Sequence, residues 1–224
     1  MLATRAANRP WPQPNPEPTM SLLLIRHGET PLNVARVLQP ADTPLSAHGR
    51  AQAAALAQRL RGSGLAAIVS SDLPRALETA QAIAAACGLP VVTTPLLHER
   101  NFGDLRGLPY DSLDHDPLTA TSAPPGGESS AEFRQRCTAA WALVLQQRAA
   151  AGGTLAVVTH GLVIREWLVG GPLQVDGGLV VPARLGNTSV TEASAQPPHT
   201  VRRVNCLLHV DAGVGEDAAS LSGG

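Results

Sequence analysis

Hydrophobic positions along this chain alternate between two textures. Short, nearly unbroken apolar runs appear at "SLLLIR" (21–26), "LAAIVSS" (65–71) and "TLAVVT" (154–159). Each has the length and β-branched or leucine content of a strand buried on both faces. Between them lie alanine-rich stretches with helical punctuation. Residues 46–61 open on Ser46 as N-cap and stop at Gly62 and Gly64. Residues 72–88 offer Asp72 as a cap, Pro74 at an early helical position and Gly88 at the C-terminal end. Ser129 and Glu132 form a capping-box pair for a helix to about Ala150, and "HGLVIREWLVGG" follows the third long strand as another helix start. A short strand is predicted around Val91 and Val92, and two late antiparallel strands near Ala183–Glu192 and Val201–Val210. The alternation predicts an α/β fold on a mostly parallel central sheet.

Two stretches break the rhythm. Residues 94–128 are rich in proline, glycine and acidic residues, as in a functional loop. The first 19 residues carry five prolines and no acidic residue before Glu17, which predicts a disordered Pro-rich leader. Residues 211–224 read as a disordered tail, leaving one domain over 20–210.

Composition narrows the function. With a net charge of −1 and a pI near 6.6, the chain has no global basic field for nucleic acid or an anionic membrane. No apolar run approaches a membrane span and no secretory h-region is present, so a cytoplasmic location is expected. Cys87, Cys137 and Cys206 are widely spaced, form no CxxC pair and read as reduced thiols. No metal or other cofactor is expected: the remaining histidines, His48, His98, His115, His199 and His209, show no ligand spacing.

The chemistry gathers where strands end. In a parallel sheet, ligands bind beyond the carboxyl ends of the strands, where helix N-termini also point. The first strand delivers Arg26 and His27, the second Asp72 and Arg75, and the third His160. Two arginines and two histidines at one edge make an anion site, and the planar guanidinium fork favours a phosphoryl group. A neutral His27 could serve as nucleophile toward phosphorus, with His160 donating to the nonbridging oxygens. Glu99, in "LLHERNFGDLRG", is the candidate proton donor for the leaving group. The two arginines should depress its pKa, and bound phosphate should raise it again. Plainer alternatives are a helix-surface pairing of Arg75 with Glu78 and a solvated Glu99 beside Arg100. Asp104 and Arg106 are expected to form a loop ion pair.

Five motifs in order, "LLLIRHGET", "SSDLPRALETA", "LLHERNFGDLRG", "PPGGES" and "VVTHGLVIRE", resemble the histidine phosphatase superfamily, the phosphoglycerate mutase-like family, over roughly residues 20–210. The resemblance implies a three-layer α/β/α fold and a metal-independent phosphomonoesterase working through a phosphohistidine on His27. It implies Glu99 as proton donor and a phosphate pocket of Arg26, Arg75 and His160, extended by Thr30, Asn33 and Gly161. The substrate implied is a small-molecule phosphate ester, and a homodimer is compatible with it. Only residues 108–123 separate "DLRG" from "PPGGES", shorter than the enclosing insertion of the family's mutases, which favours the phosphatase branch. Mutase-type transfer and an inactive phosphate-binding module are the alternatives.

Overall fold

The computed structural model describes residues 20–210, so the expectations for the leader and the tail lie outside the described residues. Seven strands form one sheet: β1 (Ser21–Arg26), β2 (Leu65–Ser70), β3 (Val91–Thr93), β4 (Thr154–Thr159), β5 (Gln174–Val175), β6 (Val190–Ser194) and β7 (Thr200–Cys206). Their spatial order is β3-β2-β4-β1-β6-β7-β5. The β1–β4, β2–β4 and β2–β3 pairs are parallel, whereas β6 runs antiparallel to both β1 and β7.

Strand periodicity explains the layers. Leu22 and Leu24 of β1, with Leu155 and Val157 of β4, point into a core with Phe133, Trp141 and Trp167. Their alternates, Leu23, Ile25, Ala156 and Val158, point into a second core with Leu56, Ala76 and Ile83. Successive side chains leave a strand on opposite faces, so an apolar residue at every position requires cover on both sides. Helices α2 (Ala47–Leu60) and α3 (Pro74–Cys87) cover one face, and α4 (Ser130–Ala151) and α5 (Gly161–Val169) cover the other. A four-residue helix, α1 (Pro31–Val34), sits just past β1.

Most helix signals act as expected. Ser46 Oγ accepts the Gly49 N–H, Ser129 and Glu132 form the capping box, and Gly88 ends α3 in the left-handed region at φ +70°. Asp72 does not cap α3. Leu73 occupies that position without a side-chain bond, and Asp72 instead pairs with His98. The first late strand begins at Val190 rather than near Ala183, because residues 186–189 make a turn in which Thr188 adopts φ +57°. The last strand starts at Thr200 and ends at Cys206, just after Asn205 at φ +51°. β5, only two residues long, carries too little periodicity to be predicted. Among the described residues no helix is long and apolar enough to cross a membrane.

Candidate active site

The carboxyl ends of β1, β2 and β4 meet because their ladders continue one step beyond the strands. His27 N donates to Thr159 O at 3.0 Å, and Ser71 N donates to Val158 O at 2.9 Å. The carbonyl of His27 accepts Thr188 N and Asn187 Nδ2, both at 3.1 Å, and Gly28 N donates to Thr79 Oγ1 at 3.0 Å. A side chain at position 28 would place its Cβ 2.6 Å from the Gly49 carbonyl oxygen, so close approach of α2 dictates the glycine after His27.

Both histidines are fully buried, with ring centroids 5.2 Å apart. His27 Nδ1 lies 2.7 Å from the Gly28 carbonyl oxygen. A carbonyl only accepts, so Nδ1 carries a proton, and in the neutral ring the lone pair is on Nε2. His160 Nε2 lies 3.0 Å from Ser71 Oγ, while its Nδ1 is buried without a hydrogen-bond partner. Burial first, then the positive charge of Arg75, lowers the His160 pKa well below 6.5. The ring is therefore neutral near pH 7. A Ser71 hydroxyl donating to Nε2 places the remaining proton on Nδ1, a donor ready for an oxyanion.

Arg26 and Arg75 are 1% and 2% exposed. Arg26 donates to the Leu185 carbonyl, and Arg75 Nη1 lies 3.4 Å from the Pro40 carbonyl oxygen. Arg75 Nε is buried without a partner, and Glu78 bonds Leu45 N and pairs with Arg50 at 3.6 Å. A helix-surface pair between Arg75 and Glu78 does not form. Burial lowers Arg75 to about 10, opposed by Glu99 and assisted by the charges of Arg106 and Arg26, so the group stays cationic at neutral pH.

Glu99 is 3% exposed, not a solvated loop carboxylate. The preceding loop is anchored by Thr159 Oγ1, which donates to the Leu97 carbonyl at 2.8 Å. Glu99 Oε1 accepts Arg100 N at 3.0 Å, and Oε2 accepts Leu162 N at 3.1 Å in the first turn of α5. Despite these donors and the two arginines, burial dominates and raises the carboxyl to about 7. This corrects the expectation that the arginines would hold Glu99 low. Desolvation of a fully enclosed carboxylate outweighs them.

The secondary candidates divide by what their atoms already do. Thr30 caps α1, accepting Asn33 N at 3.0 Å and donating to Gln39 Oε1 at 2.9 Å, so its hydroxyl is occupied within the turn. Asn33 Oδ1 accepts Thr30 N and Asn187 Nδ2, but its Nδ2 is buried without a partner. Gly161 is the buried first residue of α5. Sequence reasoning missed Ser71, Thr79 and Asn187, which orient the site's groups. Ser71 was foreseeable as the last residue of "LAAIVSS". Asn187 was not, because it arrives with a strand whose place beside β1 no local signal announces.

One expectation fails outright. Asp104 and Arg106 form no ion pair, nor does any other carboxylate of the described residues lie within ion-pair distance of Arg106. Arg106 instead lines a cavity of about 410 Å³ with Ala41, Leu73, His98, Glu99 and Asn101. No group of three or more potential metal-binding side chains occurs among the described residues.

Comparison with known proteins gives the site a context. A family profile described as "Histidine phosphatase superfamily (branch 1)" matches residues 22–206. A protein of Yersinia enterocolitica named "Probable phosphoglycerate mutase GpmB" is 36% identical over 202 residues, covering 84% of this chain and 83% of that protein. A mycobacterial glucosyl-3-phosphoglycerate phosphatase, solved with VO3, superposes with a TM-score of 0.66 at 32% identity, covering 83% of this chain and 97% of the other. The phosphoserine phosphatase of Entamoeba histolytica, solved as a mutant with phosphoserine, gives a TM-score of 0.68 at 26% identity, covering 85% and 98%.

Proposed function

Because the chain belongs to the histidine phosphatase superfamily, branch 1, we propose that His27 is the residue on which it carries the phosphoryl group and that the product is released by water. The observation that carries this is the protonation pattern of the pocket. His27 Nδ1 is committed to a carbonyl, His160 is neutral, Glu99 is raised to about 7, and Arg26 and Arg75 bring two buried guanidinium charges to the same pocket. Two positive charges enclosed at low dielectric complement a phosphoryl dianion.

Chemistry follows from the geometry. Nε2 of His27 attacks phosphorus, the ester P–O bond breaks, and the departing alkoxide takes the proton of Glu99. Arg26, Arg75 and the Nδ1–H of His160 hold the three nonbridging oxygens as charge shifts onto them. Glu99, now a carboxylate, takes a proton from the water that attacks the phosphohistidine. The N–P bond breaks, inorganic phosphate leaves, and both residues regain their starting forms. The substrate is a small phosphate ester. Asn33 Nδ2 and the backbone of Gly161 are further donors available to it.

Hydrolysis is favoured over retention for transfer by the chain between Leu108 and Ala123. That segment is tied to residues 36–38 through Leu38 N to Leu108 O at 3.0 Å and Tyr110 N to Arg36 O at 2.9 Å. It is shorter than the enclosing insertion expected of a mutase, and most of its residues face solvent. The test is phosphate release from a panel of esters in EDTA, with His27→Ala beside the native protein. Release abolished in the variant, with acid-labile phosphate trapped on the native protein alone, is the expected result. Tight phosphate binding without release from any ester would instead identify a binding module.

A further inference from the structure

We propose that Arg106 is a specificity residue that binds a second anionic group on the leaving alcohol, so that the enzyme selects phosphate esters carrying a carboxylate or a further phosphate. This rests on the proposed phosphatase function and extends it to the part of the substrate beyond phosphorus.

The position of Arg106 is built rather than incidental. The turn at Gly103–Leu105 is pressed against the "PPGGES" segment so closely that a Cβ at Gly103 would lie 2.0 Å from the Pro125 carbonyl oxygen. Asp104 N donates to that same carbonyl at 2.9 Å. On the other side, Gly107 N donates to Leu38 O at 2.7 Å and begins the short pairing of residues 107–110 with 36–38. Arg106 is therefore held from both directions.

Its guanidinium lacks what a structural arginine normally has. It is half-buried, and among the described residues it makes no ion pair or hydrogen bond. Glu128, the carboxylate that shares its cavity, is taken by Arg136 at 2.8 Å. Arg106 also lies near enough to Arg75 for the two charges to repel. Burial opposes its charge and Arg75 repels it, while Glu128, which attracts it, lies beyond ion-pair distance and is already bound by Arg136, so the guanidinium is incompletely compensated in the empty protein. An anion in the cavity relieves both costs.

Location decides which anion. Arg106 and Glu99 line the same cavity, and the leaving alcohol must lie against Glu99 to receive its proton. Arg26 and Arg75 are fully enclosed at 1% and 2% exposure whereas Arg106 is half-exposed, so Arg106 sits nearer solvent than the two buried arginines. The cavity's about 410 Å³ is room for a leaving group of several heavy atoms. A charged group at the far end of that alcohol meets Arg106, with His98 beside it on the cavity wall.

The test uses 3-phosphoglycerate and glycerol 3-phosphate, which differ in a carboxylate against a hydroxymethyl group, together with a sugar bisphosphate. kcat/KM for each is measured with the full native chain, Arg106→Gln and Arg106→Lys. The expected result is a native preference for the doubly anionic esters that falls about tenfold or more in Arg106→Gln, the scale of one charge-assisted hydrogen bond, and is partly kept in Arg106→Lys. Loss of the carboxylate preference alone, or of the bisphosphate preference alone, identifies which anion is recognised. An equal loss on all three esters would overturn the proposal, placing Arg106 on the transferred phosphoryl group. So would an unchanged preference, or one abolished instead by Arg165→Gln in the separate cleft beside Tyr110 and Leu162. Failure of the native protein to release phosphate from any of the three and from the wider panel would refute the phosphatase function itself, a different outcome from a selectivity that ignores Arg106.

Discussion

Titration of Glu99 tests the site most directly. Its carboxyl moves from an ordinary 4.5 to about 7, with burial outweighing the N–H groups of Leu162 and Arg100 and the charges of Arg75 and Arg26. A shift of that size corresponds to roughly 3 kcal/mol between the two protonation states. At pH 7 it changes the protonated fraction from roughly one in 300 to about one half. A proton donor works only in its acid form, so kcat/KM falls as pH rises through about 7, the limb belonging to free enzyme. In the substrate complex the phosphoryl charge opposes ionisation further, so the limb in kcat lies at higher pH. Glu99→Gln removes the limb and lowers turnover by about 10²- to 10⁴-fold for a poor leaving group, with a smaller loss for a good one. Phosphate monoesters themselves titrate near pH 6, but that ionisation persists unchanged in the variant and is thereby separated. An alkaline limb that survives in Glu99→Gln, or a native kcat/KM profile flat across neutral pH, would refute the assignment.

The same shift fixes the sign of a stability effect. A folded pKa above the unfolded value contributes stability that is fully present below about 4.5 and lost as pH rises through about 7. Urea midpoints across that window should therefore decline toward neutral pH by an amount that Glu99→Gln reduces; a native midpoint rising by the same amount would contradict the burial account. Ser71→Ala leaves His160 Nε2 without its 3.0 Å partner, and kcat should drop about tenfold with KM less affected; a loss confined to KM would argue against an orienting role. Gly49→Ala forces a Cβ to within 2.0 Å of the Glu29 carbonyl oxygen and should cost about 1–3 kcal/mol in chemical denaturation. An unchanged midpoint there would mean that α2 shifts freely against the turn after His27.

Local patterns carried most of the fold. The runs at β1, β2 and β4 are apolar at every position because both faces are covered, and the caps at Ser46, Ser129 and Gly88 use short-range chemistry visible in a few residues. The sheet's other half was less legible. β6 begins only after Thr188 turns the chain at φ +57°, and β5 is two residues held by pairing with β7, so neither has an internal period to detect. At the site, strand ends and motif order located Arg26, His27, Arg75, Glu99 and His160, which the structure brings together. The supporting atoms come from elsewhere: Thr79 from the second turn of α3 and Asn187 from the approach to β6. Asp104 and Arg106 looked like partners because they are adjacent in sequence, yet the turn at Gly103–Leu105 leaves no contact between their charges.

The misjudged sign at Glu99 shows which quantity a sequence withholds. Charges can be counted along a chain, but desolvation depends on enclosure, and here enclosure acts on several groups at once. It raises Glu99 and lowers His160, and both shifts favour the neutral form. Arginine resists the same pressure because its ordinary pKa is so high; even lowered to about 10, Arg75 remains charged. Burial thus sorts the pocket into groups pushed toward their neutral forms and permanent cations, the division that the proposed mechanism uses for proton transfer and for holding the phosphoryl oxygens. A lysine at position 75 would not be equivalent, since it starts about two units lower and loses the two-pronged fork. Arg106 sits where that sorting relaxes, half-exposed, and under the proposal above its charge is left for the leaving group. Under that proposal the gradient from buried to half-exposed cation divides the transferred group, which every substrate shares, from the leaving group, by which substrates differ.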